Sequence, residues 1–78
     1  MNIQQALREV LKQQNISQDK LGARIGLGRG AVGQRLRNGD LRIETVLKML
    51  SALDYELVIQ PRSGAKKPNG AFSIERKS

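Results

Sequence analysis

The sequence contains no cysteine and no histidine. Their joint absence removes disulfide bonds, thiolate and imidazole metal ligands, and the side chain most often used as a general base near neutral pH. Tryptophan is absent too, which leaves Tyr55 and Phe72 as the only aromatic residues. Two rings are too few for the stacking platform on which single-stranded nucleic acid binds. The acidic residues are scattered, and none are paired for acid–base work. No stretch approaches the roughly 18 apolar residues of a membrane span, and MNIQQALREV lacks the basic flank and apolar core of a secretory leader. The expectation is a cytoplasmic protein, not an enzyme, with no cofactor, no metal and no membrane contact.

Positive charge is what the chain has in excess. Lys and Arg total 14 against 7 Asp and Glu, a net charge of +7. Such a balance points to an anionic partner, either nucleic acid or an acidic protein surface, with a merely solubilising excess as the bland alternative. The 78 residues suffice for one small domain with one marginal core.

Four helical patterns follow one another. Asn2 and Gln5 form the ends of a capping box, and Ile3, Leu7, Val10 and Leu11 recur at helical spacing up to about Gln14. Ser17 is an N-cap for a second helix, with Asp19 in its first turn and Leu21 and Ile25 on its buried side. Gly26 stops it, and Leu27 returns an apolar side chain to the core. A third helix is expected from Arg29 to Arg37 on a narrow stripe of Val32 and Leu36, ended by Asn38 and Gly39. The fourth, capped by Asp40, carries the broadest stripe: Ile43, Val46, Leu47, Leu50 and Leu53. After Asp54 the period becomes two, so YELVIQ reads as a short strand ended by Pro61. RSGAKKPNG has no periodicity and reads as flexible, and AFSIE is a weak candidate for a second strand. The predicted fold is mainly α, a compact bundle of about four helices with a short C-terminal strand. Residues 1–61 form the domain and 62–78 a flexible basic tail.

Gly28, Gly30 and Gly33 in GLGRGAVG spell the G-x-G-x-x-G of a dinucleotide-binding loop. That loop works only between a strand and a helix, with an acidic residue about 20 positions on. Here the preceding SQDKLGARIG is helical in pattern, and Asp54 follows the helical run VLKMLSAL, so the spacing is a coincidence. Two short helices joined by a tight turn fit these residues better: a helix-turn-helix.

SQDKLGARIGLGRGAVGQRLRNGD resembles the Cro/repressor-type (XRE-type) helix-turn-helix family, whose pattern is approximately S/T-Q-x-x-L-A-x-x-x-G-V-S-x-x-x-I-S. Ser17, Gln18, Leu21, Gly26, Leu27 and Val32 fall in register, and IETVLKMLSALDY resembles the core helix that follows. Gly22 stands where Ala is usual, Gly28 and Gly33 where Ser is usual, and Arg35 where an apolar residue is common. Gly30 and Gly33 within one helix would each cost about 0.5–1 kcal/mol relative to Ala. Either close backbone approach to DNA or tolerated drift in a marginal helix accounts for them.

In such a motif the second helix enters the major groove by its N-terminal residues, where Gly28 and Gly30 lie. Arg29 and Gln34 are the leading base readers, Arg suited to guanine and Gln to adenine, with Arg35 equally suited to base or phosphate. The resemblance implies that Gln18 fixes the protein on a phosphate and braces the recognition helix, with Ser17 capping beside it. Arg37, Asn38 and Arg42 are expected on phosphates, and Lys20 and Arg24 are weaker candidates. A single motif touches little DNA, so a homodimer on a palindromic double-stranded operator is expected. YELVIQ supplies a joint: Tyr55, Leu57, Val58 and Ile59 pair with their copies in a second subunit, or, alternatively, fold back on AFSIE. The main functional expectation is a transcriptional repressor. The runner-up is an antitoxin that represses its own operon and holds a toxin protein.

Overall fold

The computed structural model describes residues 1–39, 41–62 and 71–76. Asp40, expected to cap the fourth helix, and residues 63–70 and 77–78 of the expected tail lie outside the described residues. The elements are α1 (Ile3–Gln14), α2 (Gln18–Arg24), α3 (Ala31–Asn38), α4 (Ile43–Ala52), β1 (Leu57–Ile59) and β2 (Phe72–Ile74).

The helix starts follow local chemistry. Asn2 Oδ1 accepts the Gln5 N–H at 2.8 Å while Gln5 Oε1 accepts the Asn2 N–H at 2.9 Å, the reciprocal bonds of a capping box. At the head of α2, Ser17 Oγ accepts the Lys20 N–H at 3.0 Å. Three helices end by the same device, a left-handed residue whose successor donates back five residues. Ile16 bonds to the Leu11 carbonyl after Asn15, Leu27 to Gly22 after Gly26, and Tyr55 to Leu50 after Asp54. Ile16 and Leu27 thereby turn inward and pack against the core. Gln14 Nε2 and Arg24 Nη1 donate to the Leu53 and Ala52 carbonyls, satisfying acceptors at the end of α4.

Leu7, Leu11, Leu21, Val32, Leu36, Val46, Met49, Leu50 and Leu53 form the core. Met49 is fully buried, whereas Ile43, predicted to join the stripe, is 54% exposed. It opens the first turn of α4, and the buried stripe begins only with Val46. A Cβ on Gly22 would stand 3.3 Å from Val32 Cγ2, so the small residue sets how closely α2 and α3 approach.

The third helix begins later than predicted. Gly30 has φ +79, a left-handed conformation outside helical space, so Arg29 lies in the turn and the helix starts at Ala31. The expected helix-interior penalty at Gly30 therefore does not arise; its conformation instead requires glycine. Gly39, at φ +68, ends α3.

β1 and β2 form an antiparallel hairpin with Leu57 opposite Ile74, Val58 opposite Ser73 and Ile59 opposite Phe72. The leading expectation, a lone strand paired only with its copy, is corrected: one edge of β1 is taken by the chain's own second strand. The alternation explains the match, since Leu57 and Ile74 are both half-buried and Leu57 packs against the core. Ser73 Oγ donates to Glu56 Oε2 at 3.1 Å across the pair.

Candidate nucleic-acid interface

α3 buries Val32, Gly33 and Leu36 and turns its opposite side outward. Gly30, Gln34 and Arg37 recur at i, i+4 and i+7 on that outward side, with Asn38 beside them, and all four are exposed. Arg35 is only half-buried and bends back along its own helix, its Nη1 donating to the Ala31 carbonyl at 3.3 Å. It stands on the flank of the outward face, where the apolar stripe begins.

Gln34, Arg35, Asn38 and Arg42 line one open groove of about 480 Å³ together with Thr45 of α4. Two guanidinium groups, two carboxamides and a hydroxyl meet there, with no carboxylate among the described residues that line it. This is the donor set that grips phosphate oxygens and base edges. Arg42 is exposed and makes no capping bond to α4, so its side chain is left to the groove. Thr45 was not anticipated; its signal was its position one turn after Arg42, on the same side of α4.

A second cluster forms where α2 meets α3. A Cβ on Gly33 would stand 2.7 Å from Gln18 Oε1 and 3.3 Å from Arg37 Nη1. Gly33 is thus the floor beneath two long polar side chains and is itself buried by them. Neither expected explanation for this glycine, tolerated drift or direct approach of its backbone to DNA, describes that arrangement. Its missing side chain makes the seat for Gln18. Ser17 and Lys20 are exposed at the start of α2, Ser17 acting as its cap. Arg24 faces the other way, toward the end of α4.

The turn before α3 holds the third group. Gly28 is exposed and accepts the Ala31 N–H at 3.1 Å, shaping the turn. The Arg29 side chain is 94% exposed, with Nε 3.7 Å from Asp19 Oδ2, and Asp19 Oδ1 accepts the Gly30 N–H at 2.8 Å. Sequence reading gave Asp19 only a role in its own helix; the fold carries it to the start of the next one.

The residues expected at a subunit joint lie in β1 and just before it. Tyr55, Val58 and Ile59 are 44%, 37% and 61% exposed, and Phe72, not anticipated there, is 62% exposed. Leu57 is directed to the core instead. Among the described residues, no helix is long and apolar enough to cross a membrane.

No match is found among curated proteins or among solved structures. Residues 7–60 match the family model described as helix-turn-helix, a span that runs from the first core leucine of α1 past the end of β1. The chain therefore belongs to the XRE-type helix-turn-helix family and is a DNA-binding regulator of that type.

Proposed function

We propose that this regulator is a sequence-specific repressor that occupies a palindromic double-stranded operator as a homodimer, each subunit presenting α3 to the major groove. The observation that carries the reading is the groove in which the donors of Gln34, Arg35, Asn38 and Arg42 meet beside the outward face of α3. Arg29 and Gln34 stand at the leading end of that face and read base edges. Gln18, Arg37 and Arg42 flank it and hold phosphates, fixing register without reading sequence. Ser17 and Gly28 shape the turns that aim these groups. Repression follows from occupancy alone, by exclusion of polymerase.

Selection of bound sequences from a random duplex pool tests the reading. The expected product is a palindrome with half-sites about 34 Å apart, or one helical turn. Binding is expected to fall with salt at a log–log slope near −0.9 for each phosphate contacted. A pool without enrichment, or an affinity indifferent to salt, would overturn it.

A second reading is supported by the exposed apolar residues of the hairpin, which the DNA face does not use. On that reading the chain is an antitoxin, repressing its own operon through α3 while the hairpin holds a toxin protein. Titration with the product of the adjacent gene separates the two: saturable binding abolished by Ile59→Asp supports the antitoxin, and no binding leaves the repressor.

A further inference from the structure

The crook between α4 and the hairpin is floored by Leu47, Leu50, Leu57 and Ile74, and its rim carries Asp54, Glu56 and Glu75. Three of the chain's seven acidic residues thus gather at one place in a protein of net charge +7. Next to it, a groove at the ends of α2 and α4 carries Arg24, Lys48 and Arg76, with no carboxylate among the described residues that line it. Ser51 and Arg76 line both. The last turns of α4 and the end of the hairpin therefore present one surface with an acidic half and a basic half side by side.

These charges are not spent inside the subunit. Among the described residues the one ion pair is Asp19 with Arg29, so none of the six closes on another. Glu56 Oε2 accepts from Ser73, and Arg24 Nη1 donates to the Ala52 carbonyl; these bonds to neutral groups hold each side chain within its half and leave its charge in place. All six residues are exposed. The apolar floor runs outward as well. Leu57 and Ile59 lie on the same face of the hairpin, two residues apart, and so do Ile74 and Phe72 opposite them. The body covers the first pair and leaves Ile59 and Phe72 61% and 62% exposed.

A contact between identical subunits must be self-complementary, because each patch meets only what its own copy supplies. A surface of one sign repels its copy. A surface of two halves attracts it when a two-fold axis passes near the uncharged Ser51, since each acidic half then falls on a basic half. We infer that this two-signed surface is where two copies of the chain meet, the acidic half of each set on the basic half of the other, with apolar surface of the hairpin buried alongside. The inference rests on the reading of the regulator as a homodimer and names the charges that hold it in register.

The test measures the dimer dissociation constant of the intact protein by sedimentation without DNA, for Lys48→Glu, for Glu75→Lys and for a mixture of the two. Neither side chain belongs to the core or to the groove beside α3. Each reversal turns symmetry-related attractions into repulsions and is expected to weaken self-association by about tenfold or more, while helical circular dichroism and half-site binding persist. In the mixture the reversed charges face each other, and a heterodimer within about threefold of the original strength is expected. Glu9→Lys and Lys12→Glu, exposed on α1, alter net charge equally and are expected to leave self-association unchanged. If the two variants and their mixture match these α1 controls while the unsubstituted protein dimerises, the copies meet elsewhere and the inference is overturned. It is overturned also if the reversals spare the dimer but abolish binding of the adjacent gene's product, which assigns the surface to another protein. If the unsubstituted protein occupies a full palindrome as a single copy, the homodimer reading fails first and the inference falls with it.

Discussion

A methyl group on Gly33 would meet Gln18 Oε1 at 2.7 Å and Arg37 Nη1 at 3.3 Å, which sets two effects against each other. Alanine within a helix gains about 0.5–1 kcal/mol over glycine. The atoms it would meet are the ends of long side chains that can swing aside at small cost. Gly33→Ala is therefore expected to melt at an equal or higher temperature while binding selected and random DNA less tightly to a similar degree, because Gln18 and Arg37 lose their seat. Undiminished binding to both would show that the seat has no part in holding phosphate. Arg29 and Arg42 divide differently. Arg29→Ala is expected to cost about 1–3 kcal/mol at the selected site and to relax preference at one base position, whereas Arg42→Ala weakens all sequences alike. Equal losses on selected and random DNA for Arg29→Ala would move that residue to the phosphate class.

The start of α3 shows what an element's own sequence can and cannot disclose. GLGRGAVG contains three glycines, and spacing alone does not say which of them takes a positive φ; Gly30 does, Gly28 and Gly33 do not. A substitution that forces a Cβ into that conformation costs about 1–2 kcal/mol. Gly30→Ala is accordingly expected to lower the melting temperature, while Gly28→Ala, in open space at an ordinary φ, leaves it nearly unchanged. Equal melting of the two variants would show that the turn relaxes without cost. The features legible in the sequence were those made by neighbours: the Asn2–Gln5 box, the Ser17 cap, the Gly26 stop and the register of the whole motif. The features that escaped were made at a distance. Asp19 reaching Gly30, Gln18 lying over Gly33, and Arg35 folding back to Ala31 depend on how α2 and α3 sit together. Ile43 and Met49 exchanged expected burial for the same reason, since periodicity gives the face of a helix but not where its partners begin. That Gln34, Arg37 and Asn38 lie exposed on α3 was thus readable, and the partners that position their neighbours were not.

At the scale of the molecule, a net charge of +7 favours any duplex, while a helix as short as α3, on the proposed reading, gives a small contact area for choosing one. A second subunit on the adjacent turn of DNA is the simplest way to enlarge that area, and the hairpin is where the apolar surface for it lies. Leu57 and Ile74 face the body, while Ile59 and Phe72, paired across the strands, are 61% and 62% exposed. Burying that pair between two copies would remove apolar surface that the monomer leaves in water, and among the described residues no second strand lies on the outer edge of β1. Ile59→Asp with Phe72→Asp tests this joint with little effect on the monomer, because exposed positions away from the core change stability by about 0.5 kcal/mol or less. The doubly substituted protein is expected to keep its helical circular dichroism and to sediment as a monomer. It is also expected to lose about 10²–10⁴-fold in affinity for a full palindrome, the gain that linking two binding units supplies. Binding to an isolated half-site should persist, since α3 and its groove are untouched. A dimer of undiminished strength would move the subunit contact away from the hairpin, and the exposed Ile43 at the start of α4 would be the next apolar surface to substitute.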